Sequence, residues 1–509
     1  ATLAKRDSTP IFVSSFLFSP RFFRYMNSLF QIGKTVKFVP SRLPVISVFH
    51  RLASTKRPKS TRTSVPKMES RPGLKTTKID NEVFHSLFTP ELNVLADLFK
   101  KHKYDLRMAG GAVRDLMMGI APADIDFASD ATPTQMKELF EAEGIRMLHK
   151  KGEEHGTITC RINDSENFEV TTLRIDVVCD GRRAEVNFTT DWELDAFRRD
   201  LTINSLFCGL DGTVYDYTGG IDDIKTRTVR FVGDAVSRIQ EDYLRILRYF
   251  RFYGRIAKSP NEHNAETIKA IIDNKEGMAN LSGERIWTEL KRIVNGRFAP
   301  DVMTTMLDEC KLHEYVGLNP KSSDLKEFRR VFEKAADENG KADLQPCTVL
   351  SALFSDEKDV MEFHKKCKIS NEEKFLSLFI VETREEASKN KDNLKYFQDL
   401  IMDEIYLKGS NDFKSRRNRV IELLKYIDNY ELINSILEWE QPKLPINGFD
   451  LKDSGVSGKN MKNVLRYLYV LWRNSDYTMS FEDLSKHVHD PIAIQEDKTS
   501  PPLKKQKIS

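Results

Sequence analysis

Between Asn81 and about Leu210 the spacing of hydrophobic residues changes repeatedly along the chain. FTPELNVLADLFKKH carries apolar residues at helical spacing, with Pro90 near its first turn, and predicts a helix. DLRMA predicts a short strand, and GAVRDLMMG predicts a helix entered through Gly110-Gly111. DIDFAS predicts a strand. TPTQMKELFEAEG predicts a helix with Thr132 at the N-cap and Pro133 at its first position. GTITCRI, FEVTTLRI and EVNFTT alternate with period two and predict strands, whereas WELDAFRRDLTINSLF predicts a single helix. The sum is a mixed α/β unit around a sheet of about five strands.

From about Asp234 the strand signals almost vanish. SRIQEDYLRILRYFRFYGRI, SGERIWTELKRIVN and RRNRVIELLKYIDNYELINSILEWE repeat apolar residues at i, i+3, i+4 and i+7, each predicting a helix. KLPINGFDLKDSGVSGKNMKNVLRYLYVLW predicts a glycine-punctuated loop feeding another helix. No fixed repeat period is visible. The fold class expected is α+β, a mixed α/β head followed by an all-helical remainder.

Bulk composition narrows this only a little. A chain of 509 residues is too long for one core, and three or four domains are expected. Charged residues are 30% and hydrophobic ones 40%, ordinary for a soluble globular protein. The net charge is +3, so any nucleic-acid surface must come from clustered basic residues. None of the six cysteines has CxxC spacing, which argues against a zinc site or a disulfide framework and for a reducing compartment. No run of 18 apolar residues is present, so no membrane span is expected.

Residues 1–68 differ from the rest. Asp7 is the only acidic residue there, against thirteen Lys and Arg, and Ser and Phe are frequent. That composition predicts a mitochondrial transit peptide, the alternative being a disordered basic tail. Met26 and Met68 are internal positions from which shorter forms without this leader could start, giving cytoplasmic and nuclear forms. Residues 490–509 read as a disordered basic end, and PPLKKQKIS is either a nuclear-localisation patch or a solvated tail.

The chemistry centres on RMAGGAVRDLMMGIAPADIDFAS. Asp124 and Asp126 lie two apart on the predicted strand, so both carboxylates point to one face. Ionised neighbours repel each other, and a bound Mg²⁺ relieves that while taking carboxylate oxygens. Metal held this way can clamp the attacking and leaving oxygens of a phosphoryl displacement. A solvated strand face is the alternative. Gly110 and Gly111 allow close approach of backbone to a ligand, and the following helix offers free N–H groups, with Arg114 one turn in as a cation for phosphate. The alternative there is a tight strand–helix turn with Arg114–Asp115 as a surface pair. Glu169, in FEVTTLR, is either a third carboxylate that orients a hydroxyl or an exposed strand residue.

The segments GGAVRDLMMG…DIDFAS, RRDLTINSLF, DYTGGIDDIKTRTVRFVG and QEDYLRILRYFRFYGRI occur in that order. In this the chain resembles the class II tRNA nucleotidyltransferases, the CCA-adding enzymes of the DNA polymerase β nucleotidyltransferase superfamily, and most closely their animal members. The resemblance covers about residues 80–480, extending more weakly through LSGERIWTELKRI into the helical tail. It implies addition of C, C and A to the 3′ end of tRNA without a nucleic-acid template, from CTP and ATP, with Mg²⁺ as cofactor.

Roles follow by resemblance, residue by residue. Asp124 and Asp126 would be metal ligands and, with Glu169, catalytic residues. Gly110, Gly111 and Arg114 would hold the triphosphate. Arg199, Asp200 and Asn204 of RRDLTINSL would contact ribose and phosphate. Asp216, Gly220 and Asp223 match the family's hinge between head and neck. The implied division is a nucleotidyltransferase head at 69–210, a neck for nucleobase selection at 211–295, a helical body at 296–400 and a tRNA-binding tail at 401–489.

Asp242 and Arg245 carry an argument of their own. Placed i, i+3 on one predicted helix, they share a face. Ionised Asp only accepts and Arg only donates. Cytosine and adenine both offer an amino donor beside a ring acceptor, whereas uracil and guanine reverse that order. Unpaired groups in a closed pocket cost several kcal/mol, so the pair can choose C and A. The alternative is a helix salt bridge. Arg248, one turn on, would face the phosphates. His155 lies in a loop that in the family affects the switch from C to A, and it receives no catalytic role here. Ser282 as N-cap and Glu284 in the first turn are read as supporting the neck helices. GVSGKN with Lys459 would present backbone N–H groups to a phosphate, or is an ordinary helix entry.

The partners expected are tRNA, CTP and ATP, with no membrane and no obligate protein partner evident. Three rivals stand beside this reading. A poly(A) polymerase of the same superfamily has an extended signature before its EDxxR element that FVGDAVSRIQEDYLRILR does not match. A catalytically inactive RNA-binding paralogue leaves the intact DxD, RRD and EDxxR elements without a purpose. A small-molecule nucleotidyltransferase leaves the long helical half unexplained.

Overall fold

In the computed structural model, the predicted helix at FTPELNVLADLFKKH forms as α1 (Pro90–Lys101). Thr89 starts it, its hydroxyl accepting from Leu92 N at 3.0 Å, and Pro90 fills the first turn, where no N–H partner is needed. Leu92, Leu95, Leu98 and Phe99 are its buried face. The structure describes residues 73–490 except 149, 180–183, 322, 338–339, 341, 410–411 and 459. The leader read at 1–68, the segment after Asp490 and Lys459 therefore lie outside the described residues. Asp490, assigned by sequence to a disordered end, is bonded in place by Tyr467 Oη at 2.7 Å and His487 Nδ1 at 2.8 Å.

The strands are β1 (Lys75–Lys78), β2 (Leu106–Ala109), β3 (Asp126–Ser129), β4 (Arg146–Leu148), β5 (Thr157–Ile162), β6 (Glu166–Thr172), β7 (Arg174–Cys179), β8 (Ala184–Phe188), β9 (Phe207–Gly209) and β10 (Thr213–Asp216). Eight of them form one sheet in the order β1-β10-β9-β2-β3-β6-β5-β4, and β7 and β8 pair separately as a hairpin. Only β3 and β6 run parallel, with Asp126 in register with Glu169. The expectation of about five strands is thus too low. The missed strands β1, β4, β9 and β10 have three or four residues each, too few to show an alternation.

Helices α2 (Gly111–Met117) and α3 (Pro133–Ala142) follow β2 and β3. The latter has a complete capping box, Thr132 with Gln135. WELDAFRRDLTINSLF is not one helix. It is α4 (Trp192–Arg198), an extended break at Arg199, a 3₁₀ turn at Thr202–Asn204, and β9. The break exists because backbone bonds are taken from outside: Leu201 bridges Phe231, and the Asp200 carbonyl accepts from Val232 N at 3.0 Å. After β10 comes α5 (Gly220–Thr226).

The helical half matches the reading, with two corrections to continuity. SRIQEDYLRILRYFRFYGRI is two helices, α6 (Ala235–Glu241) and α7 (Leu244–Ile256), separated at Asp242, whose φ of −153° and ψ of 105° are extended. Helix α8 (Ala265–Asn274) follows, then α9 (Gly283–Val294), which packs against α7. RRNRVIELLKYIDNYELINSILEWE splits into Phe413–Tyr426 and Glu431–Glu438, with Asp428 at φ 60° in between. One connected apolar core runs from Ile79 to Ile436. A second, centred on Leu451, Val464, Leu468 and Trp472, belongs to the tail. Among the described residues no helix is long and apolar enough to cross a membrane.

Candidate active site

Gly110 ends β2 and begins the turn into α2 with φ 66° and ψ −120°. A Cβ there would lie 3.0 Å from Arg199 Nη1, so both the backbone and the neighbour call for glycine. Its N–H is held by the Leu206 carbonyl at 3.0 Å, and its own carbonyl accepts from Arg114 N at 3.2 Å. A Cβ on Gly111 would meet Arg114 only at an ordinary 3.6 Å.

Arg114 does pair with Asp115, but the pair is buried and not at the surface. Arg114 is 2% exposed, with Nη1 on Asn204 Oδ1 at 2.5 Å and Nε on Asp115 Oδ1 at 3.0 Å. Burial lowers its pKa, and the Asp115 carboxylate partly restores it. Asp115 is also held by Arg255 of α7 at 2.9 Å, so the head and the long neck helix meet through it. Asn204 Nδ2 is buried beside this knot and has no protein partner, which leaves one donor available at the site.

Asp126 opens β3, but Asp124 precedes the strand in a bend, so the two aspartates do not share a strand face as predicted. They do interact. Loss of hydration raises the Asp126 carboxyl above the ordinary Asp value, Arg199 pulls it down, and the like charge of Asp124 pushes it up again. Glu169 sits in register beside Asp126 on β6 and is exposed. Among the described residues, no group of three or more His, Cys, Asp or Glu side chains is placed to hold a metal ion, so Glu169 does not complete a three-carboxylate cluster. Asp124 and Asp126 remain the carboxylates of the DxD element here, with Arg199 offsetting part of their mutual repulsion.

The RRD segment wraps this corner. Arg199 lays Nε and Nη2 on Asp195 Oδ2, both at 3.1 Å, while Nη1 reaches the Asn204 carbonyl at 3.4 Å. Asp195 is 1% exposed and also takes Arg198 Nε at 2.8 Å and Arg174 N at 3.1 Å. It was missed in the sequence, although Asp195, Arg198 and Arg199 at i, i+3 and i+4 in DAFRR are a visible signal. Asp200 accepts from Leu201 N at 2.8 Å and from Arg248 Nε at 2.5 Å. Burial raises the Asp200 carboxyl, but Arg248, the Leu201 N–H and Arg245 together hold the group below the ordinary value. Gly110, Arg114, Arg199 and Asn204 are thus one bonded cluster, and Asp200 with Arg248 is a separate ion pair one residue along from Arg199.

The side chains of Asp242 and Arg245 do not pair with each other; only the Arg245 N–H meets the Asp242 carbonyl, at 2.9 Å. Asp242, at the break between α6 and α7, accepts from Leu244 N at 3.1 Å and from Arg285 Nη2 at 2.7 Å. Arg245 Nη1 donates to Glu241 at 2.6 Å and to the Arg238 carbonyl at 3.1 Å, and Nη2 to the Arg198 carbonyl at 3.1 Å. The simple helix salt bridge is therefore absent. The predicted shared helix face is corrected as well, because Asp242 lies outside both helices. Arg285, from the ERIW segment of α9, was not singled out from the sequence. Ser282 occupies the N-cap position of α9 without a side-chain cap bond, and Glu284 is in the first turn.

Asp216, Gly220 and Asp223 form a tight clasp. The Asp216 carboxylate accepts from Thr218, Gly219, Gly220 and Ile221 N–H at 2.9, 2.8, 3.1 and 2.9 Å. A Cβ on Gly220 would lie 2.2 Å from the Thr202 carbonyl oxygen. Asp223 accepts from Thr202 Oγ1 at 2.5 Å and from Arg230 at 2.6 and 3.0 Å. His155 ends a 3₁₀ segment, exposed, with its carbonyl on Arg174.

Two family models match the chain: the poly A polymerase head domain over residues 106–230, and the probable RNA and SrmB-binding site of polymerase A over residues 264–320. CCA tRNA nucleotidyltransferase 1, mitochondrial, of Danio rerio is 48% identical over 415 residues, covering 81% of this chain and 93% of that protein. The Homo sapiens protein of the same name is 47% identical over 417 residues, with the same coverage. The crystal structure of the Bacillus stearothermophilus CCA-adding enzyme in complex with CTP aligns with a TM-score of 0.61 at 23% identity, covering 80% of this chain and 97% of that one. The Thermotoga maritima CCA-adding enzyme complexed with tRNA aligns with a TM-score of 0.53 at 18% identity, covering 81% and 98%.

Proposed function

This chain belongs to the CCA tRNA nucleotidyltransferase family, and from that premise we propose how its residues divide the work. The reaction adds C, C and A to the 3′ end of tRNA, using CTP and ATP and releasing pyrophosphate. The tRNA 3′ oxygen forms a bond to the α-phosphorus, the bond from that phosphorus to the pyrophosphate oxygen breaks, and the hydroxyl proton leaves to solvent or base.

The family is generally metal-dependent. Asp124 and Asp126 would hold the cation, which we assign as Mg²⁺, and Glu169 would orient the attacking hydroxyl from the neighbouring strand. When bound, the ion supplies stabilisation of developing charge and a lower pKa for the 3′ hydroxyl. Gly110 and Gly111 let the triphosphate approach the backbone. Arg114 holds Asn204 by its amide oxygen, which leaves Nδ2 to donate to the nucleotide. Arg199, fixed by Asp195, presents positive charge above Gly110. Asp200 and Arg248 tie the segment to α7. Asp242 and Arg245 read the base edge after exchanging their present partners for it. The tightness of Asp216, Gly220 and Asp223 supports a rigid block on which neck and head turn, rather than a loose hinge.

The domain division 69–210, 211–295, 296–400 and 401–489 remains our reading. The separate core at Ile446–Val488 supports a distinct tail, while the main core runs past residue 401 to Ile436 and β10 at Thr213–Asp216 extends the head sheet into the neck's first residues. The basic leader supports import into mitochondria, as do the names of the relatives; shorter forms would serve cytoplasm and nucleus.

The observation that carries the mechanism is the convergence of Gly110, Arg114, Arg199 and Asn204 beside Asp126. Asp126→Ala is expected to keep tRNA affinity within about twofold and to lose addition by about 10⁴ or more. Full activity in that variant would overturn the assignment.

A further inference from the structure

Every hydrogen bond seen from the Arg245 guanidinium ends on Arg238 or on an acceptor that Arg238 also holds. Arg245 Nη1 donates to the Arg238 carbonyl at 3.1 Å. It also donates to Glu241 Oε2 at 2.6 Å, where Arg238 Nη1 donates at 2.8 Å. Arg245 Nη2 donates to the Arg198 carbonyl at 3.1 Å, where Arg238 Nη1 donates at 3.3 Å. Arg198 belongs to the head, in the peptide next to Arg199, and the other groups belong to the neck.

We propose that Arg238 is a positioning residue for nucleobase selection, setting where the Arg245 guanidinium stands by sharing its carboxylate and its head carbonyl. This rests on Arg245 reading the base. A carboxylate neutralised by two guanidiniums holds each less strongly than one neutralised by a single guanidinium. With Arg238 in place, Arg245 is aligned yet able to exchange an acceptor for the base edge. Without the Arg238 side chain, Glu241 has Arg245 as its near cation and draws it away from the base. The Arg198 carbonyl then loses one of its two donors and keeps only Arg245. Neither of these Arg238 bonds ends on Asp124 or Asp126, so addition itself is expected to persist in the variants. The expected defect is therefore one of choice among bases.

The test compares wild type, Arg238→Met and Arg238→Lys on a tRNA lacking its last three nucleotides, measuring kcat/KM for CTP and for UTP separately. In Arg238→Met the CTP-to-UTP ratio is expected to fall about tenfold, the value of one charge-assisted hydrogen bond in alignment. Arg238→Lys keeps the charge and loses the shared fork, and a smaller fall is expected. Melting temperature and tRNA affinity, measured alongside, respond to a merely structural role, whereas the ratio does not. A ratio unchanged in both variants, or equal losses for both nucleotides, overturns the inference. If Arg238→Met does not fold, the lysine variant decides it by the same ratio. A wild type that adds nothing to this tRNA would overturn the functional reading itself, and this inference with it.

Discussion

The Asp216 carboxylate gathers four backbone N–H groups, and replacing it with asparagine tests whether the clasp at β10 and α5 is rigid. Three N–H groups converge on Oδ1, from Thr218, Gly219 and Gly220, and one from Ile221 reaches Oδ2, with the residue 1% exposed. Asparagine keeps the Oδ1 acceptor and turns the other side into an NH₂ that faces the Ile221 N–H. One charge-assisted bond is lost outright, about 2 kcal/mol, and the other three weaken as the acceptor loses its charge. The N-terminus of α5 loses an anion as well, about 0.5 kcal/mol. The sum is about 3 kcal/mol for Asp216→Asn. Asp216→Ala leaves four donors without an acceptor and is expected to cost about 5 kcal/mol. Urea denaturation gives the stabilities, and amide exchange at residues 218–221 reads the clasp locally. The order wild type, Asn, Ala is predicted, with exchange accelerated at those four amides. An Asn variant within about 0.5 kcal/mol of wild type, inside the usual range of an inconsequential change, would refute the reasoning.

Two further outcomes follow from other residues. Gly110→Ala forces a side chain into φ 66° and ψ −120° and against Arg199 Nη1 at 3.0 Å; a stability loss of about 2 kcal/mol is expected, with KM for CTP raised about tenfold and tRNA affinity unchanged. His263, stacked on Tyr253 at 3.6 Å, is pushed down by burial to about 4. A depressed histidine contributes nothing above its unfolded value, near 6.5, and costs stability as pH falls from there towards 4, because only the unfolded chain takes up the proton. Discounted for partial exposure, that cost is about 2 kcal/mol by pH 4. His263→Phe should therefore lose less melting temperature than wild type between pH 7 and pH 5, and parallel losses would contradict the assignment.

How much was legible depended on which forces left a local mark. Helix α1 was readable because Thr89, Pro90 and the spaced Leu92, Leu95 and Leu98 all say the same thing within one short segment. Strand β1, KTTK, was not, because an exposed edge strand of four residues buries almost nothing and so needs no hydrophobic alternation. The break at Asp242 was hidden because Ile239, Leu244 and Leu247 keep a helical rhythm across it, while the bond that stabilises the break comes from Arg285. For the same reason the site residues were readable as a set but not in their attitudes. The glycine turn, the DxD and RRD elements stood out by type and order. That Arg114 is buried against Asn204, 90 positions away, is a tertiary fact with no local trace. Asp195 did leave a trace, its spacing to two arginines, which resembles an ordinary surface helix pair until its burial is known.

The most direct test uses purified protein with Mg²⁺ and a labelled tRNA transcript that lacks its terminal CCA. CTP alone, ATP alone, UTP alone, GTP alone, and CTP with ATP are supplied separately, and products are read at single-nucleotide resolution. Two additions from CTP, three from the mixture, and none from UTP or GTP are predicted. A long ladder from ATP alone, or retained tRNA binding with no addition at all, would contradict the account.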